Sequence, residues 1–347
     1  MTKRIFTLLL AVLVLAGTGC IRRNLEDMIE QVAIRVEVNV KTVANVSCDI
    51  YNENIPVPNV NTDMMRVMVY DPDTKNLLTQ SFISNKTVEG GNQVLSGMLN
   101  ISYGNYDFVI YNFDTPTTQV TGENNEESIL GFTSEIPEAM RTRYLGTKKD
   151  DYENVHINYE PDHLLVAREH DLRVSARDSI IVIKTTAETI IDTYYIQIHV
   201  EGMQYASSAT AVINGLSPSN HFGLNERTED PTAAVCFEMV KSHDFRVPGE
   251  NKDVLCAVFN TFGKIPEATS NLHVTFNVVD VAGNLQQKDI NLDTTFRTED
   301  AIERHWLIID DTWTIVDPGQ GGGGQESGGG FKPVVDDWDE INEDIIL

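Results

Sequence analysis

The sequence predicts an all-β protein made of two tandem β-sandwich domains. Short segments of alternating apolar and polar residues recur along the chain, turn residues separate them, and few windows have helical spacing. The clearest segment is 34–40 (IRVEVNV), in which every second residue is apolar. Such alternation is typical of a strand with one buried face, and regularly spaced short strands are typical of a sandwich.

Further strands follow from the same pattern in chain order. The segment 67–69 leads into a turn at 71–73 (DPD), and the aromatic and β-branched run 106–113 is expected to be a central strand. The remaining strands are predicted at 164–166, 179–185, 194–200, 272–279 and 306–316, the last with a turn at Asp310 and Asp311. Turns are expected at 89–91 and 282–284, and short helices compete with the β pattern at 25–32 and 135–145.

The first nineteen residues have the layout of a secretory signal peptide. Lys3 and Arg4 precede a run of about twelve mostly apolar residues, too short for the ~20 of a membrane-spanning helix. Small residues follow, and then Cys20, as in a bacterial lipoprotein signal. This resemblance implies that Cys20 becomes the lipidated N-terminus, carrying diacylglycerol and an acyl chain such as palmitate. Gly17 stands where such signals usually have Leu, and an ordinary secreted protein is the alternative.

Removal of the signal leaves 328 of the 347 residues, which suggests two domains. A charged stretch at 168–177 follows the strand at 164–166, and we place the domain boundary there. The expected organisation is a signal peptide (1–19), a lipidated segment (20–32), an N-terminal β-sandwich (33–172), a C-terminal β-sandwich (173–317), a Gly-rich flexible linker (318–330) and an acidic, apolar tail (331–347).

Charge excludes two classes of partner. The net charge of −26 falls to −28 once the basic residues Lys3 and Arg4 leave with the signal peptide. Such a chain is repelled by nucleic acid and by anionic lipid surfaces. We therefore expect no nucleic-acid partner, and membrane attachment through lipid on Cys20, for which two or more acyl chains are needed.

No catalytic motif is found in the sequence. Gly319, Gly321 and Gly324 match G-x-G-x-x-G, but no helix follows to bind a phosphate. We predict a non-enzymatic protein with no catalytic residues, no metal site, no cofactor beyond the lipid and no small-molecule substrate. His156, His163 and His170 recur every seven residues without zinc-ligand spacing, so surface or core positions are expected. Cys236 and Cys256 either pair across a sheet or remain buried thiols.

The tail after the linker is the strongest candidate for binding a partner. Val334, Trp338, Ile341 and Ile345 have helical spacing, whereas Phe331, Pro333 and Val335 alternate as in a strand, so either form is possible. Folding back onto the second domain is the alternative to binding another chain. The candidate partner-binding residues are Phe331, Val335, Trp338, Ile341, Ile345 and Leu347.

Taken together, these features resemble the anchor and minor-subunit (FimB-like) lipoproteins of Bacteroidales fimbriae, the type V pili. The resemblance is one of layout and covers nearly the whole chain. It rests on the signal ending at Cys20, the segments 106–113, 162–168 (DHLLVAR) and 305–318 (HWLIIDDTWTIVDP), the glycine linker, and 335–346 (VDDWDEINEDII). It implies two transthyretin-like Greek-key domains, anchoring in the outer membrane with surface exposure, and fimbrial structural subunits as partners.

The resemblance also implies assembly by strand exchange. In this family a stalk subunit is cleaved after an arginine, loses its first strand and receives the C-terminal segment of the next subunit. An anchor is expected to keep its first strand and to act as donor through 331–347, with 318–330 as spacer. Arg22, Arg23 and Arg35 are available for cleavage, and we expect them not to be used productively. The alternative function is a surface glycan-binding lipoprotein working beside a transporter, with Trp306, Trp313 or Trp338 stacking on sugars.

Overall fold

Two curled β-sheets make up most of the protein in its computed structural model. The structure describes residues 31–319 except 49–54, 56, 147–151, 153–154, 176–180, 230, 245, 247–251 and 266–271. Cys20 and the tail residues Phe331, Val335, Trp338, Ile341, Ile345 and Leu347 lie outside the described residues. The predicted all-β, two-domain fold is confirmed.

The described strands, in chain order, are β1 (Gln31–Val40), β2 (Met65–Tyr70), β3 (Leu77–Ile83), β4 (Asn85–Glu89), β5 (Asn92–Ser102), β6 (Gly104–Asn112), β7 (Thr118–Thr121), β8 (Leu130–Thr133), β9 (His156–Asn158), β10 (Leu165–Val174), β11 (Ile181–Thr189), β12 (Asp192–Glu201), β13 (Ala206–Leu216), β14 (Ser219–His221), β15 (Glu226–Arg227), β16 (Ala233–His243), β17 (Asp253–Thr261), β18 (His273–Asp280), β19 (Leu285–Asn291) and β20 (Trp306–Thr314). Two short α-helices, α1 (Glu138–Leu145) and α2 (Glu299–Glu303), and 3-10 turns at Glu126–Ser128, Met203–Tyr205 and Thr295–Arg297 accompany them.

The first sheet places its opening strand in an interior position, between two neighbours. The strand order is β3–β2–β6–β10–β11–β1–β5–β4. Strand β1 pairs in parallel with β11 and antiparallel with β5. Its alternating residues Val32, Ile34, Val36, Val38 and Val40 are all buried in the core, as the period-2 pattern predicted.

The second sheet repeats the pairing of the opening strand seen in the first. Its order is β19–β18–β13–β16–β17–β12–β20. The opening strand β12 lies between β20, which runs parallel to it, and the antiparallel β17. In each domain the first strand therefore pairs in parallel with the last strand of that domain and antiparallel with a second neighbour.

Sheet membership divides the chain at a different place from the expected boundary after residue 172. That boundary falls inside β10, and the segment predicted to open the second domain is β11, which pairs with β1 of the first sheet. The first sheet extends to Thr189 and the second begins at Asp192. The parallel pairing of β1 with β11 joins residues nearly 150 positions apart, so local composition did not reveal it.

Two local predictions also need correction. Asp310 and Asp311 do not form a turn, because they bulge out of the continuous strand β20, where the pairing jumps from Ile309 to Thr312. Residues 31 and 32 of the competing helical window 25–32 belong to β1, and the rest lies outside the described residues. The helix expected at 135–145 is confirmed as α1.

Cys48, Cys236 and Cys256 are free thiols. Cys236 and Cys256 are buried, and burial raises the pKa of the Cys236 thiol to about 12. Of the two alternatives left open by the sequence, buried thiols are therefore what the structure shows, and a thiol with so high a pKa is a poor nucleophile.

The segment between β6 and β10 of the first sheet packs on the second domain. Strands β7 and β8 join β14 and β15 in a four-stranded sheet that draws on both domains, and β9 pairs in parallel with β16. Tyr144 and Leu145 of α1 are buried in a cluster with Val212 and Ala234 of the second sheet. These contacts hold the two domains together along their length.

Candidate functional site

The directions of four strands place the start of β1 and the end of β20 at opposite ends of the two described domains. Strand β11 ends at Thr189 and β12 begins at Asp192, so the domain junction lies between them. Because β1 runs parallel to β11, it runs towards the junction, and because β20 runs parallel to β12, it runs away from it. Gln31 therefore lies at the far end of the first domain, and Thr314 at the far end of the second.

The end at which β1 begins, here called the N-terminal pole, is held by pairing with β5 from the first residue of β1. Gln31 pairs with Ser102, and the β1–β5 ladder continues without a break to Val40. The β11 ladder covers the other edge from Ile34 onward. A ten-residue strand spans about 33 Å. Loss of β1 would therefore leave a groove of about that length between β5 and β11, with the facing edges of both strands unpaired.

Arg35, one of the candidate cleavage residues, lies within this doubly paired strand. Its side chain is half exposed on the outer face and pairs with Glu37 at 2.9 Å. The peptide bond after Arg35 is paired on both edges, so a protease could reach it only after local unfolding of β1. Arg22 and Arg23 lie outside the described residues.

The end at which β20 finishes, here called the C-terminal pole, is held in place as far as Val316. Ile315 N donates to the carbonyl of Glu201 at 2.8 Å. Val316 exchanges two hydrogen bonds with the Gln286 side chain, at 2.9 Å from its N and 3.1 Å to its carbonyl. The amide side chain of Gln286 thus substitutes for a strand backbone, and the chain leaves the second domain from an ordered sheet edge.

The segment that follows β1 fastens the first domain to the second at the junction. Asn45 Oδ1 accepts a hydrogen bond from Thr193 N at 2.8 Å. Ser47 N donates to the carbonyl of Arg304 at 2.9 Å, and Trp306 Nε1 donates to the Ser47 carbonyl at 2.9 Å. Trp306 is buried in the same cluster as the β1 core residues, so its indole lies in the first domain's core although its backbone opens β20.

A partly buried carboxyl group also lies where the domains meet. Glu160 Oε1 accepts a hydrogen bond from Asn260 N at 2.7 Å. Burial raises the pKa of Glu160 to about 7, and the charge of nearby Asp162 acts in the same direction, whereas the Asn260 hydrogen bond opposes it. Part of the Glu160 population is therefore protonated near neutral pH.

A polar cleft of about 1370 Å³ opens beside the junction. Arg227 and Asp192 pair across it at 2.8 Å, and the His305 ring stacks on Tyr194 with centroids 4.7 Å apart. Trp306 and Trp313 are buried, so neither offers an exposed face for stacking on a sugar. Trp338, the third tryptophan, lies outside the described residues.

The three regularly spaced histidines diverge in the fold. His156 pairs with Glu135 at the surface, and His163 Nδ1 lies 3.0 Å from Thr189 Oγ1. His170 faces a separate pair of buried carboxylates. The contacts of Asn45, Ser47 and Trp306 at the junction were not predicted, because a single polar residue in a loop gives no signal of the partner it meets.

Within the described residues, no helix is both long enough and apolar enough to cross a membrane. The fold and the two poles define a two-domain, all-β protein in which β1 begins and β20 finishes at opposite ends of the described residues. By sequence, the chain belongs to the family described as "Domain of unknown function (DUF5119)", which matches residues 34–238.

Relatives of this chain have fimbrial names. The chain is 22% identical over 268 residues to a Bacteroides ovatus protein whose name gives it a proposed role as fimbrium anchoring subunit Fim4B, covering 77% of this chain and 67% of that one. Its fold is similar to the crystal structure of a proposed adhesin from Bacteroides ovatus, with a TM-score of 0.55, 18% identity, and coverage of 87% of this chain and 98% of that one. The fimbrial anchor protein Mfa2 from Porphyromonas gingivalis gives a TM-score of 0.46 at 11% identity, covering 80% and 88%. The predicted resemblance to fimbrial anchor proteins is confirmed.

Proposed function

We propose that this protein is a non-enzymatic anchor or accessory subunit of a cell-surface fimbria. Lipid on Cys20 holds it in the outer membrane, and the tail 331–347 enters a neighbouring fimbrial subunit. The observation that carries the proposal is the placement of the N-terminal and C-terminal poles at opposite ends of the two domains. A protein that links a membrane to a fibre needs its two attachments to be apart.

The chain lengths on either side of the described residues fit this arrangement. Cys20 precedes Gln31 by eleven residues, which can reach at most about 40 Å when fully extended. The thirteen-residue linker 318–330 has a root-mean-square span of ~20 Å, enough to carry the tail clear of the C-terminal pole. Lipid and tail are therefore tethered to different ends of the same body.

The state of β1 supports the role of donor rather than of acceptor. Its buried residues Val32, Ile34, Val36, Val38 and Val40 fill the groove that an incoming strand would need. With that groove filled by its own chain, the tail 331–347 is the segment that we propose it donates. An extended segment added to an open sheet gains main-chain hydrogen bonds, while side-chain pockets set its specificity. The relative named as a fimbrium anchoring subunit supports the same role.

The test is a pull-down from outer membranes of the source cells, comparing the full-length protein with a chain that ends at Asp317. The truncation leaves Val316 and its bonds to Gln286 in place, so the second domain keeps its last strand. We expect a β-rich fimbrial subunit to co-purify with the full-length chain only. Equal recovery with both chains would overturn the donor role and leave the tail as an element that folds on its own chain.

A further inference from the structure

Three ionisable side chains from separate segments of the first domain meet in one cluster. Asp107 lies on β6, Glu126 in the first 3-10 turn and His170 on β10. Each residue contributes one ligand atom, and these three atoms all lie within 4.8 Å of one another. His170 Nδ1 is 3.4 Å from Glu126 Oε1 and 3.8 Å from Asp107 Oδ1.

The two carboxylates are buried, and one lacks hydrogen bonds. Asp107 and Glu126 are each 1% exposed. Asp107 Oδ1 accepts a hydrogen bond from Asp171 N at 2.8 Å, whereas neither carboxyl oxygen of Glu126 has a hydrogen-bond partner. A buried carboxylate without donors is costly unless a cation balances it. Glu126 therefore needs positive charge beside it, and the nearby ammonium of Lys75 is shared with Asp107.

Lys75 now supplies a cation to this cluster. Its Nζ lies 2.5 Å from Asp107 Oδ2 and 3.2 Å from Glu126 Oε2. One ammonium group carries a single positive charge, so it cannot neutralise both carboxylates. The Lys75 side chain is 30% exposed on the turn between β2 and β3, so it can rotate into solvent.

The spacing of the ligand atoms fits a tetrahedral metal ion. Zinc bonds of 2.0–2.2 Å to imidazole nitrogen and carboxylate oxygen put neighbouring ligand atoms about 3.4 Å apart. The two distances from His170 Nδ1 come close to this value. Two carboxylates would neutralise a divalent ion, and the half-exposed His170 side chain leaves a solvent route for a fourth ligand.

A bulge in β10 brings His170 to the cluster. The β10–β6 pairing breaks between Glu169 and Leu172, and Asp171 adopts φ +53°. Bulges re-aim side chains, and this one also directs the Asp171 N–H at Asp107, fixing the orientation of that carboxylate.

We propose that Asp107, Glu126 and His170 bind one divalent transition metal ion, for which Zn²⁺ is the probe, and that Lys75 swings out when the ion enters. The sequence predicted no metal site because the three ligands lie in three distant segments.

The test is calorimetric titration of tag-free, full-length protein with Zn²⁺. We expect one saturable site per chain. Loss of one of three ligands in His170→Ala should weaken binding at least tenfold, as second-shell losses alone cost 10–100-fold. Lys75→Met removes the competing ammonium and should tighten binding. His156→Ala removes an exposed His–carboxylate pair elsewhere on the surface and should leave the titration unchanged.

His170 and Lys75 are partly exposed, so their variants should keep the fold, and circular dichroism checks this. Titration without a saturable site, or a His170→Ala titration equal to that of the unsubstituted protein, would overturn the metal site. Weaker binding by Lys75→Met would overturn the exchange with Lys75.

Discussion

The indole Nε1 of Trp306 donates a 2.9 Å hydrogen bond to the carbonyl oxygen of Ser47. Trp306 is the first residue of β20, the last strand of the second domain, and Ser47 follows β1, the first strand of the first domain. The bond therefore ties together the strands that lead to the two poles. Arg304, whose carbonyl accepts from Ser47 N, also stacks its guanidinium on the indole at 5.2 Å.

Trp306→Phe should lower the free energy of unfolding by about 1–3 kcal/mol, because the partly buried Ser47 carbonyl loses its donor and the buried ring shrinks. The specific readout is amide hydrogen exchange at residues 44–47, which should accelerate as the junction loosens. Trp313→Phe is the control, since Trp313 is buried in the second domain's core. Faster exchange at 44–47 in both variants would show that the bond is not what fastens this segment.

Ile34→Ala in β1 should cost about 2–5 kcal/mol, as expected for truncating a fully buried side chain. Arg35→Ala, one residue further and on the outer face, should cost less than about 1 kcal/mol, since it removes only a partly exposed ion pair with Glu37. Chemical denaturation measures both. Equal losses would contradict the assignment of opposite faces.

An arginine-specific protease should cleave the folded protein after Arg35 only slowly, because β1 is paired on both edges. Ile34→Ala should speed this cleavage by lowering the free energy needed to open the strand. Mass spectrometry of timed digests identifies the site. Rapid cleavage after Arg35 in the unsubstituted protein would indicate that β1 can leave and that the protein can accept a strand.

Glu160 makes stability fall as pH rises. Its pKa is about 7 in the folded state against an ordinary value of 4.5, so between these values the unfolded chain loses a proton that the folded chain retains. Stability from this group is complete below pH 4.5, declines towards pH 7 and then levels off. Urea unfolding at pH 5 and pH 8 should show a smaller decline in Glu160→Gln than in the unsubstituted protein.

In the same experiment, Glu89→Gln at the exposed end of β4 is the matched control and should keep the full decline. A Glu160→Gln curve parallel to that of the unsubstituted protein would show that the carboxyl titrates normally at the domain contact.

Strand positions could be predicted from the sequence because a half-buried strand shows as alternating apolar and polar residues within one short segment. Residues 34–40 alternate, and β1 buries the predicted apolar set. The helix α1 and the turn at Gly90 and Gly91, both at positive φ, were likewise readable from local composition.

Long-range pairing could not be predicted in the same way. Strand β11 has the composition of a domain's first strand and is in fact the last strand of the first sheet, because its parallel partner is β1. The Asp310–Asp311 pair looks like a turn, yet β20 continues beyond it because β12 offers a partner on either side of the bulge. His170 meets Asp107 and Glu126 only in three dimensions.

In the proposed role, one chain attaches to the membrane at one end and to a fimbrial subunit at the other. The most direct measurement fractionates cells expressing Cys20→Ala or the chain ending at Asp317, and follows both membrane retention and the co-purifying subunit. We predict that Cys20→Ala leaves the membrane but keeps the subunit, whereas the truncated chain stays in the membrane and loses it. Loss of both properties in either variant, or of neither in both, would contradict two separate attachments.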